Sequence, residues 1–291
     1  MLVYPAFETL FPGPFPLIGV VHLLPLPGSP LSNASMRQII EHACTDARTL
    51  LDAGMDGLIV ENFGDAPFYP DVVEPVTVAA MTRVAQALKD LIEELAGRER
   101  RAPVPLGINV LRNDAKAALS IAGVTGADFI RVNVHTGAMV TDQGLVQGKA
   151  HETLRLRRAL GLNGVALFAD VLVKHATPLG ETDPASAAKD TFLRGGAQAL
   201  IFSGSGTGEP TDLLKLEKVR QKVPEAPLLI GSGLTLENLP TTVGVASGAI
   251  VGTALKHGGQ VDQPVSYVRA QALVSARDQF VQEKQLEEPS A

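Results

Sequence analysis

Short apolar runs alternate with longer amphipathic stretches along most of this 291-residue chain. The run LIGVVH (17–22) is followed by a proline-rich segment, LLPLPGSPLSNAS, and then by apolar positions recurring every three or four residues from Met36 to Ala53. A short β-branched run bounded by turn formers predicts a buried strand, and the three-to-four spacing predicts a helix. The unit then repeats. Strands are predicted at 56–62, 104–110, from Phe129 onward, and at 165–173, 197–204, 227–233 and 248–253. Helices are predicted at 76–96, from Asn113 or Asp114, at 150–160, from Asp183-Pro184, at 211–222, from Thr235, and at 265–283. Asn113, Asp114 and Asp183 are good caps, and Pro184 suits a first helical position. Eight strands alternating with eight helices predict an α/β, single-domain (β/α)8 TIM barrel over residues 17–283. A Pro-rich arm (1–16) precedes it and a polar tail (284–291) follows. An open doubly wound sheet is the alternative, but it needs a reversal of strand order that a sequence does not display.

Composition narrows the function classes. The net charge is −6, and 45 % of residues are hydrophobic but only 4 % aromatic, with no Trp. Small aliphatic residues suit helices packed tightly on a parallel sheet. The acidic balance argues against nucleic acid as a partner, because no basic run tracks a phosphate backbone. Arg155, Arg157 and Arg158 stand at helical spacing and are expected on a solvated face. The single cysteine, Cys44, excludes an intramolecular disulfide, fits a reducing compartment, and is expected to be a small helix hydrophobe rather than a nucleophile. The start lacks the basic and continuous apolar parts of a signal peptide, and no 18-residue apolar run predicts a membrane span. A soluble, cytoplasmic protein is expected.

The richest chemistry lies in DFIRVNVHTGAMVTDQG (128–144). Strand side chains alternate, so Arg131, Asn133 and His135 are expected on one face, lining a polar cavity, with a long loop after them. A polar network that only satisfies itself inside the core is the competing reading. In a (β/α)8 barrel chemistry sits at the carboxyl ends of the strands. Those positions give His22, Glu61, Asn62, Asn109, Arg131, Asn133, His135, Asp170, Lys174, His175, Ser203, Ser232 and Thr253. Glu61, His135, Asp170 and Lys174 are the candidate catalytic groups, since each can carry a proton at a tuned pKa. His22, Asn109, Arg131, Asn133 and Ser203 are candidate substrate contacts. The segments IGSGLTLEN and GAIVGTALK place Gly231, Ser232, Gly233, Gly252 and Thr253 just before helical starts. Glycines let backbone approach a ligand and free amides favour an anion, so these two loops are the candidate phosphate site. The loop SGSGTGEP (203–210) lacks the lysine of a nucleotide P-loop and is expected to cover the ligand, with Thr207 and Glu209 as contacts. Strand six has no lysine for a Schiff base. His22, Glu61, His135, Asp170 and His175 offer metal-type donors but no HExxH-type spacing. No metal is therefore assigned, no cofactor is required, and a divalent ion stays open as an alternative.

The segments IGVVHLLPLPGSP (18–30), DGLIVENFGDAPF (56–68), PLGINVLRNDAKAALSIA (105–122) and DFIRVNVHTGAMVTDQGLVQGKAHETLRLRR (128–158) resemble the BtpA/SgcQ family. So do ADVLVKHA (169–176), SGSGTGEPTDL and GAIVGTALK, and the resemblance spans about residues 15 to 280. Two positions depart from it: Leu172 replaces a histidine of that pattern, and Ser205 stands in a variable loop. The resemblance implies a TIM-type barrel, with one branch associated with photosystem I biogenesis and another with a sugar-related gene context. It supplies no catalytic residues. Two functions follow as expectations. One is an enzyme or binder of a small phosphorylated metabolite, a sugar phosphate or nucleotide fragment, by isomerisation, epimerisation, aldol-type cleavage or hydrolysis. The other is a non-catalytic assembly or stability factor for a membrane complex. A homo-oligomer is expected by analogy with other barrels.

Overall fold

A computed structural model describes residues 4–180, 182–204, 206 and 211–287. The strands β1 (Leu17–His22), β2 (Gly57–Glu61), β3 (Leu106–Asn109) and β4 (Phe129–Val132) pair in parallel and in chain order. They continue through β5 (Ala166–Asp170), β6 (Ala199–Phe202), β7 (Leu228–Ile230) and β8 (Gly248–Val251). β8 then pairs with β1, Leu17 opposite Ala249, and closes an eight-stranded barrel. The open-sheet alternative is excluded by that closure.

The connecting helices are α1 (Met36–Asp52), α2 (Pro75–Glu99), α3 (Ala115–Thr125) and α4 (Ala150–Ala159), then α5 (Pro184–Lys189), α6 (Leu213–Lys222), α7 (Leu239–Val243) and α8 (Tyr267–Glu287). Their starts follow the sequence. Ser35 and Gln38 form a capping box on α1, Asp114 rather than Asn113 caps α3, and Asp183 caps α5 with Pro184 in its first turn. The expected start of α7 at Thr235 shifts to Asn238, whose Oδ1 accepts from the Thr235 amide.

Period-two alternation sorts the strand residues into two cores. Leu17, Val21, Leu58, Val60, Leu106, Ile108, Ile130 and Val132 face the helices in the main core. Ile18, Val20, Ile59, Phe129, Ala166, Phe168, Ala199, Ile201, Leu229 and Ile250 fill the barrel itself. Phe7 and Phe11, from the arm, join this inner cluster and pack on Phe168 and Phe129. The arm therefore stoppers the amino end of the barrel. Arg157 departs from the solvated face expected for it. It is wholly buried, lies over the Tyr4 ring, and donates to Gln198 Oε1 at 2.9 Å, while Arg155 and Arg158 are exposed. Cys44 sits half-buried in α1 against the core, as expected.

The expected long loop after β4 is instead a hairpin. Strands Ala138–Thr141 and Gly144–Gln147 pair antiparallel, and Ala176–Pro178 from the loop after β5 adds a third strand. Val134, Met139, Val146 and Val173 form its small core, with Leu172 packed on it. No helix among the described residues is long and apolar enough to cross a membrane.

Candidate functional site

Two residues beyond each inner apolar position, the alternation places a polar side chain or a glycine. The strand register aligns four of them: His22 is opposite Glu61, Glu61 opposite Asn109, and Asn109 opposite Arg131. The next inward positions are Asp170 on β5, then Ser203, Gly231 and Gly252 just past β6, β7 and β8. The barrel interior is thus apolar below and polar above, and the polar layer floors a cavity of about 430 Å³ at the carboxyl ends of the strands.

At the centre of this floor is Arg131, 4 % exposed. Its Nε and Nη2 donate to the two oxygens of Asp170 at 2.8 and 2.9 Å, and its Nη1 donates to Glu61 Oε1 at 3.0 Å. Burial alone would lower its pKa, but Asp170 and Glu61 outweigh burial and hold the guanidinium above its ordinary value. Asn109 Nδ2 donates to Asn133 Oδ1 at 3.1 Å, and Asn133 Nδ2 donates to Asp170 Oδ2 at 3.2 Å. Arg131, Asn109, Asn133 and Glu61 face the cavity, whereas Asp170 lies behind Arg131 and does not line it. Asp170 therefore holds Arg131 from behind the cavity floor.

His135 is the largest departure from expectation. β4 ends at Val132, the chain turns into the hairpin, and His135 swings out of the alternation. It is buried outside the cavity, with Nε2 2.8 Å from the Gly195 carbonyl. Only Arg131 and Asn133 of the three share the cavity face. Ser203 Oγ likewise lies where a side chain on Gly231 would point and is not on the cavity wall. Lys174 and His22 do line the cavity, as does His175. Among the described residues no three His, Cys, Asp or Glu side chains converge as a metal-ligand cluster. Thr207 and Glu209 lie outside the described residues. Leu172 belongs to the hairpin core and is turned away from the cavity.

The two glycine loops meet on one side. Gly231, Ser232, Gly233, Gly252 and Thr253 all line the cavity, and Arg269 of α8 joins them, its Nε donating to the Ala254 carbonyl at 2.7 Å. Gly252 must be glycine, since a Cβ there would stand 2.8 Å from His22 Cε1. The loop after β8 is fixed from below by a buried ion pair, Lys256 Nζ to Asp46 Oδ2 at 2.6 Å, with Asp46 Oδ1 accepting from the Val265 amide.

Sequence reasoning missed Arg112, Arg269, Phe63 and Phe68. The aromatic pair comes from the loop after β2 and walls the cavity. Arg112 follows Leu111, whose amide is held by Asn62 Oδ1 at 2.7 Å. These residues lie beyond the strand ends, where period two no longer points anywhere.

The electrostatics favour an anion. Burial, then Arg131, depresses the Lys174 pKa, and burial depresses that of Arg112. Burial, with Lys256 and Lys174 adding to it, pushes His22 down to about 3, so its ring is neutral at physiological pH. Unfolded histidine takes a proton near pH 6.5 while folded His22 refuses it until about 3, so the unfolded state binds more protons in that window. Stability contributed by neutral His22 is complete above pH 6.5 and falls as pH drops toward 3. Chemical denaturation across that range should show a slope of up to about 1.4 kcal/mol per pH unit that shrinks in His22→Phe. An unchanged slope would remove His22 as its source.

A model of the BtpA family matches residues 14–279. The chain is 45 % identical over 269 residues to the Photosystem I biogenesis protein BtpA of Synechocystis, covering 92 % of this chain and 90 % of that one. It is 47 % identical over 259 residues to an uncharacterized protein of Thermococcus kodakarensis, covering 89 % and 94 %. Among solved structures, thiamine phosphate pyrophosphorylase from Pyrococcus furiosus superposes with a TM-score of 0.56 at 11 % identity, covering 92 % of this chain and 97 % of that one. That likeness carries the barrel fold alone. By sequence over nearly its whole length, this chain belongs to the BtpA family.

Proposed function

We propose that the chain is an enzyme acting on a small phosphorylated metabolite, a sugar phosphate or nucleotide fragment, at the carboxyl-end mouth of its barrel. One observation carries the reading. Four buried polar atoms without partners belong to residues lining the cavity, which Arg112, Lys174 and Arg269 also line: His22 Nδ1, Asn109 Oδ1, Arg112 Nε and Ser232 Oγ. Leaving such atoms unpaired costs about 1–3 kcal/mol each, which a fold tolerates where a ligand completes them. In this reading the phosphate sits on the Gly231–Gly233 and Gly252–Thr253 loops beside Arg269. Asn109, Asn133 and Arg131 orient hydroxyls. Glu61 and Lys174 are the groups on the cavity wall that move protons, Lys174 giving up its proton more readily than a free lysine because burial and Arg131 lower its pKa. Proton transfer next to a carbonyl, as in isomerisation, epimerisation or aldol-type cleavage, fits this pair.

Thermal-shift measurements with a panel of phosphorylated metabolites, with and without divalent ions, test the reading. A ligand at about 100 times its Kd stabilises the folded state by about 2.7 kcal/mol, roughly 5 °C or more in Tm here. Gly252→Asp should abolish that shift, because its side chain meets His22 and sets a carboxylate where the anion belongs. A flat response across the panel would refute the reading. It would leave the second one, a non-catalytic assembly or stability factor for a membrane complex, which the name of the Synechocystis relative supports. The unpaired atoms in the mouth favour the enzyme.

A further inference from the structure

The cations of the cavity fall on opposite rims. Arg269 stands over the loop after β8, next to the glycines that follow β7 and β8. Arg112 follows β3 and Lys174 follows β5, so the two flank β4. In the closed ring of eight strands, β4 is four steps from β8 in either direction, which makes it the strand diametrically opposed. Arg112 and Lys174 are joined across the end of β4, Arg112 Nη2 donating to the Lys174 carbonyl at 2.7 Å.

Among the described residues neither of these two cations has an ion-pair partner. The ion pairs of the cavity floor, Arg131 with Glu61 and with Asp170, leave them out, and among the described residues neither has a carboxylate within 4.0 Å. Arg112 is nevertheless 5 % exposed, and its Nε has no hydrogen-bond partner. Arg112 is buried and Lys174 half-buried, so both have lost water, and the two repel. An anion between them reverses both penalties.

From this we propose that the substrate carries two anionic groups, a phosphate at the β7–β8 rim and a second phosphate or a carboxylate held by Arg112 and Lys174 at the β3–β5 rim. The inference rests on the phosphate reading above and adds the second group. A monophosphate would leave Arg112 and Lys174 facing each other uncompensated. A bisphosphate or phospho-carboxylate satisfies both rims at once. The floor residues Asn109 and Asn133 then lie beneath the carbons between its two charged ends.

Calorimetric titration of the full chain with matched compounds tests this. The probes are ribose 5-phosphate, 3-phosphoglycerate, ribulose 1,5-bisphosphate and fructose 1,6-bisphosphate. At least one doubly anionic compound should bind about tenfold or more tightly than the monophosphate, as expected for a charge-assisted hydrogen bond. Lys174→Met should erase that advantage while leaving monophosphate affinity within about threefold. Arg112→Met should do the same, and Lys174→Met keeps the test decisive if loss of the Arg112 side chain unfolds the loop. Equal affinity for singly and doubly anionic probes, unmoved by Lys174→Met, would overturn the second site and leave the phosphate reading standing. No binding by any probe would overturn both. Loss of all phosphate binding in Lys174→Met would also overturn the division into two rims.

Discussion

Arg131→Met is expected to lower the unfolding free energy by about 3–5 kcal/mol, the usual cost of removing one partner from a buried ion cluster. The guanidinium pairs directly with two carboxylates here, and the Asp170 side chain beside it is 1 % exposed. Methionine fills comparable volume but leaves Glu61 and Asp170 close together without a counter-charge. Desolvation and mutual repulsion then act on the same pair. Denaturant titration should show a lower midpoint with an unchanged slope. Neutralising the acids as well, in the triple variant Glu61→Gln, Arg131→Met, Asp170→Asn, should recover most of the loss while leaving the floor unable to hold a ligand. A single-variant loss below about 1 kcal/mol would mean that solvent reaches these charges and that the floor is not sealed.

The second large effect is steric. In β3, Gly107 faces Phe129 of β4 as its register partner, and a Cβ on Gly107 would stand 2.2 Å from Cε2 of the Phe129 ring. That ring has no room to retreat. It is stacked on Phe168 with centroids 4.6 Å apart, and Phe11 closes its edge at 6.1 Å. Gly107→Ala should therefore cost about 1–3 kcal/mol despite adding a single methyl group. Phe129→Leu in the same chain should return most of it, because the two changes act on one space and do not add. Simple additivity of the two losses would show that the clash is relieved elsewhere, by a backbone shift in β3.

The fold was legible because its signal is local and repeated. Each strand carries its own β-branched run, and caps such as Asp114 and Asp183 mark helix starts within four residues of their partners. The floor of the site was legible for the same reason. Period two carries Ile59 to Glu61 and Phe129 to Arg131, and neighbouring strands repeat that step in register. Past the last strand residue the rule stops. His135 was misplaced because two residues between it and β4 already turn toward the hairpin. The hairpin itself left a trace in the alternation of AMVT and LVQ around Gly144, but three residues of strand contrast weakly with a loop. Arg112 and Arg269 could not be found by spacing. One depends on Asn62 holding the Leu111 amide 49 residues away, the other on the last helix returning to the loop after β8. Arg157 shows the converse: helical spacing placed it beside two solvated arginines, and a tyrosine from the arm covers it.

The aromatic stopper at the lower end has a consequence for the upper one. Ala166 and Ala199 take up little of the barrel's interior, and Phe7 and Phe11 wedge into the room they leave. Phe11 presses on Phe129, and Phe129 is two residues from Arg131 on the same strand. A segment outside the eightfold repeat thus packs against the strand that carries the central guanidinium. Divergence in those first residues would act on the mouth from its far side without altering any residue that lines the cavity.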